Sequence, residues 1–180
     1  MNLSVYTDGG SKGNPGPASI GIVVYGEGKK QLFHHKEAIG RKTNNEAEYT
    51  AVIRALELVR GYIGKEKLKP QQIDFYSDSL LIVSQLSGLY KIKKPHIRDF
   101  IFKIRVLESE LRLPVHYHHI PREKNQVADD LVNGVEPTSW ILKCLQIRYA
   151  QPRIDGARFL VVFFCLKIFL FLIVKQSQLH

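Results

Sequence analysis

The amino-acid sequence predicts an α/β domain built on a five-stranded mixed sheet flanked by helices, in the order βββαβααβα. Three observations lead to this prediction. Short β-rich segments open the chain, Gly- and Pro-rich links separate them, and strand patterns then alternate with helical periodicity. Strands joined by short links pair antiparallel, whereas strands separated by helices pair in parallel through crossovers.

The first three predicted strands form an antiparallel meander. The first ends on Asp8, because four glycines and two prolines follow over residues 9–17. Residues 18–25 form the second strand, and residues 31–39 return as the third. The meander therefore places a carboxylate at the end of its first strand.

The strongest helical pattern of the chain runs from Asn44 to Arg60. Its apolar residues recur on one face, and Glu48 lies at the head of this stripe, whereas Glu46 lies on the polar face. Two positions correspond to about 200° around a helix, so only one of these glutamates faces inward. The periodicity selects Glu48 as the inward residue. Because acids are rarely buried without a partner, its position needs a reason.

A second acid stands at a strand end in the later part of the chain. After a polar linker over residues 65–70, residues 72–77 form a strand, and Asp78 precedes the helical pattern of residues 80–86. A helix, a strand and a short helix follow over residues 97–111, 114–120 and 124–133. Ligands of open α/β sheets gather at the carboxyl ends of strands, where Asp8 and Asp78 are predicted to lie.

Charge and cysteine content indicate the class of partner and the compartment. The formal net charge is +9, and residues 1–135 carry 20 Lys and Arg against 15 Asp and Glu. A basic balance favours an anionic partner, nucleic acid first. The only cysteines are Cys144 and Cys165, and no signal-peptide pattern follows Met1, so we expect a cytoplasmic protein without a disulfide framework.

Four motifs occur in order: Tyr-Thr-Asp-Gly-Gly with Asn-Pro-Gly within residues 6–16, Thr-Asn-Asn-Glu-Ala-Glu-Tyr at 43–49, Tyr-Ser-Asp-Ser at 76–79, and Asn-Gln-Val-Ala-Asp at 125–129. Together they resemble type 1 ribonuclease H. The resemblance implies a ribonuclease H-like fold, a catalytic domain over residues 1–135, and cleavage of the RNA strand of RNA/DNA hybrids to 5′-phosphate and 3′-hydroxyl ends. A non-catalytic nucleic-acid-binding module on the same fold is the alternative hypothesis.

The resemblance implies that Asp8, Glu48, Asp78 and Asp129 form a catalytic, metal-binding site. Residue patterns alone leave Asp129 and Asp130 open; the Asn-x-x-Ala-Asp motif selects Asp129 and leaves Asp130 as a solvated helix acid. Four clustered carboxylates repel one another unless divalent cations neutralise them. Oxygen ligands favour Mg²⁺, with Mn²⁺ as a substitute, and the family implies two ions that activate water and stabilise the leaving oxygen.

One family feature is altered in this sequence. Many members carry a mobile His in a longer glycine-rich loop before the last Asp, whereas here the segment is short. His119, at a strand end, is a candidate for the counterpart of that mobile His, and it is equally consistent with a structural histidine. Arg122, seven residues before Asp129, is the slightly favoured candidate, as a fixed cation at the scissile phosphate.

Several residues are candidates for contact with the nucleic acid. Asn44 and Asn45 lie at a helix N-terminus, which favours anions, although Asn44 also suits an N-cap. Family resemblance implies a pocket for a DNA phosphate at Arg41 and Thr43. It also implies backbone contacts to RNA 2′-hydroxyls at Gly9, Gly10 and Ser11. The basic loop beside Tyr90 contains Lys91, Lys93 and Lys94, which predict a patch that binds along the phosphate backbone. A solvated loop without such a role is the alternative.

Residues 136–180 fall outside the resemblance. Residues 159–174 are rich in Phe, Leu, Val and Ile but shorter than the roughly 20 residues of a membrane-spanning helix, and Lys167 interrupts them. A membrane anchor, a buried or oligomerising segment, and a tail without selected function are the hypotheses, and the unusual composition favours the last. We therefore expect a monomer whose partner is an RNA/DNA hybrid, without a small-molecule cofactor, and membrane contact is not favoured.

Overall fold

The computed structural model describes residues 1–135, so the predicted C-terminal tail, with its apolar segment 159–174, lies outside the described residues. The described part contains a five-stranded sheet in the spatial order β3-β2-β1-β4-β5. The strands are β1 (Asn2–Ser11), β2 (Gly16–Tyr25), β3 (Gln31–Lys42), β4 (Gln72–Ser77) and β5 (Val115–His119). The helices are α1 (Asn44–Glu66), α2 (Leu80–Leu86), α3 (Pro95–Leu111) and α4 (Gln126–Val132). The predicted element order and fold class are confirmed.

Strand pairing follows the predicted topology. β1 and β3 pair antiparallel with β2, whereas β4 pairs in parallel with β1 and with β5. The β1–β4 ladder ends with Tyr6 opposite Tyr76. Asp8 and Asp78 each lie two residues further along, so the register brings both acids to the same end of neighbouring strands.

β1 is longer than predicted. The prediction that it ends at Asp8 is wrong, because Gly9, Gly10 and Ser11 continue the antiparallel ladder with β2. Glycine in an extended conformation pairs as other residues do, and the turn begins only at Lys12, whose N–H donates to the Pro17 carbonyl at 2.8 Å. Asp8 therefore projects from a paired strand rather than from the edge of a loop.

α1 also extends past its predicted end at Arg60 and reaches Glu66. The two glycines in its last turns do not stop it, because the predicted apolar stripe is buried against the sheet and tertiary packing stabilises the helix. Lys67, which has a left-handed backbone with φ of 51°, caps the C-terminus of the helix. The other elements begin and end within about three residues of their predicted bounds.

The core lies where α1 and α3 pack beside the sheet. Buried residues of β1, β2 and β4 meet the apolar faces of both helices; Leu3, Val5, Ile22 and Phe75 lie on the strands and Ile104 on α3. α4 packs against β1 and β2. Within residues 1–135 no helix combines the length and apolarity that crossing a bilayer requires.

Candidate active site and nucleic-acid interface

The four predicted carboxylates come from four different elements and line one cavity of about 210 Å³. Asp8 belongs to β1, Glu48 to the first turns of α1, and Asp129 to α4, while Asp78 directly follows β4. Four segments far apart in the chain therefore bring acidic side chains to one place. The cavity is also lined by Gly9, Gly10, Ser11, Asn44 and Arg122.

Two glycines allow the helices to approach the sheet at this cavity. A Cβ atom at Gly9 would lie 2.4 Å from the carbonyl carbon of Ala47 and 2.6 Å from the nitrogen of Glu48. A Cβ atom at Gly21 would lie 2.2 Å from the carbonyl oxygen of Ala128. Both separations are too short for any side chain, so α1 and α4 pack directly on strand backbone and carry their acids with them.

Three of the carboxylates accept hydrogen bonds from neighbouring side chains. Ser79 Oγ donates to Glu48 Oε2 at 2.8 Å, and Asn125 Nδ2 donates to Asp78 Oδ1 at 2.8 Å. Arg122 Nη2 donates to Asp129 Oδ1 at 2.6 Å, which forms an ion pair. Sequence reasoning assigned no role to Ser79 or Asn125, although both lie within motifs that it identified. Their positions next to Asp78 and at the start of α4 were the available signals.

Burial and mutual repulsion raise the pKa values of two of these acids. Burial raises the pKa of Asp8 to about 6, with further contributions from the charges of Asp78 and Asp129. Burial also raises the pKa of Glu48 to about 7, and the neighbouring Asp8 and Asp78 add to the increase. The cavity therefore concentrates negative charge that lacks full compensation within the protein.

The donor chemistry of the cavity fits a divalent cation. Carboxylate oxygens are the preferred ligands of Mg²⁺ and Mn²⁺, and the raised pKa values report the repulsion that such a cation would relieve. Among residues 1–135, however, no group of three or more His, Cys, Asp or Glu side chains is arranged to hold an ion. The fit is therefore one of ligand type and charge, and the assignment of all four carboxylates as metal ligands stays a prediction.

Comparisons with known proteins agree with this architecture. A family model described as reverse transcriptase-like matches residues 6–135. LC11-RNase H1, crystallised in complex with an RNA/DNA hybrid, has 41% sequence identity and a TM-score of 0.69, and the match covers 77% of this chain and 99% of that one. The chain belongs to the type 1 ribonuclease H family.

Two curated relatives extend this comparison. Bifunctional protein Rv2228c of Mycobacterium tuberculosis is 38% identical over 134 residues, which are 74% of this chain and 35% of that protein. Ribonuclease HI of Halobacterium salinarum is 37% identical over 135 residues, which are 73% of this chain and 62% of that protein. The chain thus spans about a third of the length of the mycobacterial relative.

The two candidates for the altered family histidine lie in different places. Arg122 lines the carboxylate cavity, and its ion pair with Asp129 raises the pKa of the guanidinium further. His119 is exposed at the last position of β5 and is not among the residues that line the cavity. The structure therefore brings Arg122, and not His119, to the four carboxylates of this ribonuclease H fold.

The prediction that Asp130 is a solvated helix acid is wrong. Its exposed fraction is 9%, and its Oδ1 accepts a hydrogen bond from Gln126 Nε2 at 2.9 Å. Neighbouring positions on a helix point in different directions, so α4 directs Asp129 into the cavity and Asp130 away from it. The motif therefore selected the acid that lines the site.

The N-terminus of α1 differs from its predicted capping. Thr43, not Asn44, is the N-cap: Glu46 N–H donates to Thr43 Oγ1, and Thr43 N–H donates to Glu46 Oε2 at 2.8 Å. Asn44 instead accepts from the Ser11 N–H at 2.8 Å and lines the carboxylate cavity. Thr43 thus already satisfies its hydrogen bonds within the protein, and this capping box explains the outward position of Glu46.

A second cavity, of about 480 Å³, adjoins the same helix terminus. It combines amide, apolar and basic groups, and its lining includes Asn45, Tyr90, Lys91, Lys93 and Lys94. Arg41 is exposed on β3, opposite Pro17, and lines neither this cavity nor the acidic one. The predicted contact residues therefore divide into those that line the acidic cavity with Asn44, those that line the basic cavity with Asn45, and two that line neither, Arg41 and Thr43.

Proposed function

We propose that this chain is a metal-dependent endoribonuclease that hydrolyses the RNA strand of RNA/DNA hybrids and leaves 5′-phosphate and 3′-hydroxyl ends. The observation that carries the proposal is the convergence of Asp8, Glu48, Asp78 and Asp129 on one cavity. A module that only bound nucleic acid would have no use for four carboxylates beside an anionic backbone. Relatives named ribonuclease H and the hybrid complex of LC11-RNase H1 support the substrate class.

The four carboxylates would hold two Mg²⁺ ions, or Mn²⁺ in their place. Such ions supply Lewis acidity at the scissile phosphate and lower the pKa of the attacking water. The contribution of the chain is the charge that retains them: Asp8 and Glu48 are mostly buried, and burial strengthens their interaction with a cation. Ser79 and Asn125 hold two of the carboxylates in place through single donated hydrogen bonds.

Arg122 supplies a cation of the protein itself at the same cavity. Its guanidinium is mostly exposed and contacts Asp129 through Nη2, so further N–H donors are available to a phosphate oxygen. A permanently charged side chain in this position would stabilise negative charge that develops on the phosphate during displacement. Arg122 would act here as a fixed cation, and this role differs from that of a mobile histidine.

The two cavities would bind the two strands of the hybrid. They meet at the first turn of α1, where Asn44 lines the acidic cavity and Asn45 the basic one. A duplex lying across this helix terminus would place its RNA strand at the carboxylates and its DNA strand at Lys91, Lys93 and Lys94. Lysines follow a phosphate backbone without reading its sequence, so we expect cleavage with little sequence preference.

The test is cleavage of an end-labelled RNA/DNA hybrid by the full chain, with Mg²⁺ and then with EDTA. Matched single-stranded RNA and duplex DNA are the controls. Cleavage that requires Mg²⁺ and is confined to the hybrid would support the proposal. Binding of the hybrid without cleavage at any Mg²⁺ or Mn²⁺ concentration would refute it in favour of a non-catalytic binding module.

A further inference from the structure

Asn125 departs from the usual behaviour of its residue type. It stands at the N-cap of α4, where an Asn side-chain oxygen ordinarily accepts a hydrogen bond from the first turn. Its side chain makes no capping bond, and within residues 1–135 its Oδ1 is the buried side-chain atom left without a partner. An unpaired buried acceptor destabilises the folded state, so the orientation of this side chain needs another explanation.

The opposite end of the same amide supplies that explanation. Asn125 Nδ2 donates to the carbonyl oxygen of Thr7 at 3.1 Å and to Asp78 Oδ1 at 2.8 Å. The backbone carbonyl oxygen of Asn125 accepts a hydrogen bond from the backbone N–H of Asp129 at 3.1 Å. One residue, 1% exposed, therefore contacts the residue before Asp8, the carboxylate of Asp78 and the backbone of Asp129.

We propose that Asn125 is a positioning residue that orients Asp78 for divalent-cation binding, an inference that rests on the proposed function. The forked N–H donors tie the Asp78 carboxylate to the β1 backbone beside Asp8, which limits its rotation. The amide is neutral, so it orients the acid without competing for the cation or adding another negative charge. Partners of this kind typically change metal affinity or activity 10–100-fold when they are removed.

The test is Mn²⁺ binding by the full-length Asn125→Ala variant in the absence of nucleic acid, followed by calorimetry or electron paramagnetic resonance. We expect the dissociation constant to rise about tenfold or more. In hybrid cleavage, kcat should fall at limiting Mg²⁺ and partly recover at high Mg²⁺. The KM for hybrid should stay unchanged, because the buried side chain does not reach substrate.

Two further variants separate positioning from folding. Asn125→Leu fills the volume that Asn125→Ala leaves empty, but it removes the same donor from the Thr7 carbonyl and Asp78. Its free energy of unfolding should therefore exceed that of Asn125→Ala, while its Mn²⁺ affinity falls as far. Gln126→Ala is the matched control, because the Gln126 side chain donates to Asp130, which does not line the cavity. It should bind Mn²⁺ as the unmodified chain does.

Normal Mn²⁺ affinity in both Asn125 variants would overturn the inference, and so would an affinity that falls only in proportion to lost folding. If the unmodified chain binds no Mn²⁺, the inference fails together with the metal assignment. If it binds Mn²⁺ and the variants lose affinity, but no hybrid is cleaved, the proposed function alone is refuted and the role of Asn125 is retained.

Discussion

Asp8 is the residue through which the carboxylate cluster is best tested. It is mostly buried, and the charges of Asp78 and Asp129 contribute to its raised pKa, so its carboxylate interacts with two other acids of the cluster. Asp8→Asn keeps the size of the side chain and removes one charged ligand. We expect cleavage of hybrid to fall by at least ~100-fold, more than the loss of an outer partner would cause.

Binding of the hybrid should survive the Asp8→Asn substitution, because removing negative charge does not weaken contacts to an anionic backbone. Filter binding in EDTA would measure this affinity beside the cleavage rate. Cleavage at the parental rate by Asp8→Asn would contradict the metal assignment.

Arg122 and His119 give opposite expectations at the residue scale. Arg122 contacts Asp129 inside the cavity, whereas His119 is exposed at the end of β5. We expect Arg122→Ala to lower kcat about 10–100-fold and Arg122→Lys to restore part of it, since a point charge replaces a planar donor incompletely. His119→Ala should leave kcat within about twofold, and a larger loss there than at Arg122 would reverse the assignment.

At the scale of elements, close packing of helix on strand assembles the site. Gly9→Ala would place a Cβ within 2.6 Å of three backbone atoms of Ala47 and Glu48, so the N-terminal turn of α1 must move. We expect a loss of about 1–3 kcal/mol in the free energy of unfolding, together with most of the activity. Urea unfolding and hybrid cleavage would measure the two effects.

Gly61→Ala, within α1 itself, is the control for this prediction. A Cβ at Gly61 meets no atom within 4 Å, so the substitution should stabilise α1 by about 0.5–1 kcal/mol and leave cleavage unchanged. If Gly9→Ala were tolerated as well as Gly61→Ala, direct packing of α1 on β1 would not be what positions Glu48.

The loop between α2 and α3 carries the basic side of the proposed interface with the hybrid. Lys91 and Lys93 line the larger cavity beside Tyr90, and neither lies among the carboxylates. In the Lys91→Ala, Lys93→Ala double variant we expect weaker hybrid binding, with the slope of log affinity against log salt reduced by about 2. The kcat at saturating hybrid should be unchanged.

The control for this prediction is a double variant of Lys65 and Lys69, two exposed lysines at the far end of α1 and beyond it. Its net charge changes equally, so it corrects for long-range attraction of the anion. An equal loss of salt dependence in both double variants would show that overall charge, and not the loop, accounts for binding.

For the whole molecule, the raised pKa values of Asp8 and Glu48 predict a pH-dependent stability. Each acid binds its proton more tightly when folded, so the folded state holds more protons between pH ~4 and ~7. In EDTA the free energy of unfolding should therefore fall as pH rises through this window, by the order of 3 kcal/mol for Asp8 if its burial is maintained.

Divalent cations should reverse this trend, because they bind the ionised carboxylates of the folded protein. Mg²⁺ should raise the free energy of unfolding more at pH 8 than at pH 5, and Asp8→Asn should flatten the profile measured in EDTA. Stability that is independent of both pH and Mg²⁺ would mean that the carboxylates do not interact as the structure indicates.

Local patterns predicted much of this protein from its sequence. Helical periodicity chose Glu48 over Glu46, and the strand pattern placed Asp78 directly after β4, because both features depend on residues close together in the chain. The order of strands and helices predicted the mixed sheet for the same reason. Motif resemblance was needed to choose Asp129 over its neighbour and to join the four acids into one predicted site.

Long-range contacts determined the rest. The direct packing of α1 on the backbone of Gly9 could not be predicted from local patterns, and Asn125 meets the Thr7 carbonyl across 118 residues of sequence. The burial of Asp130 and the pairing of Arg122 with Asp129 likewise depend on where α4 packs. Spacing along a chain specifies the direction of a side chain within its own element, whereas the partner it meets depends on how separate elements pack together.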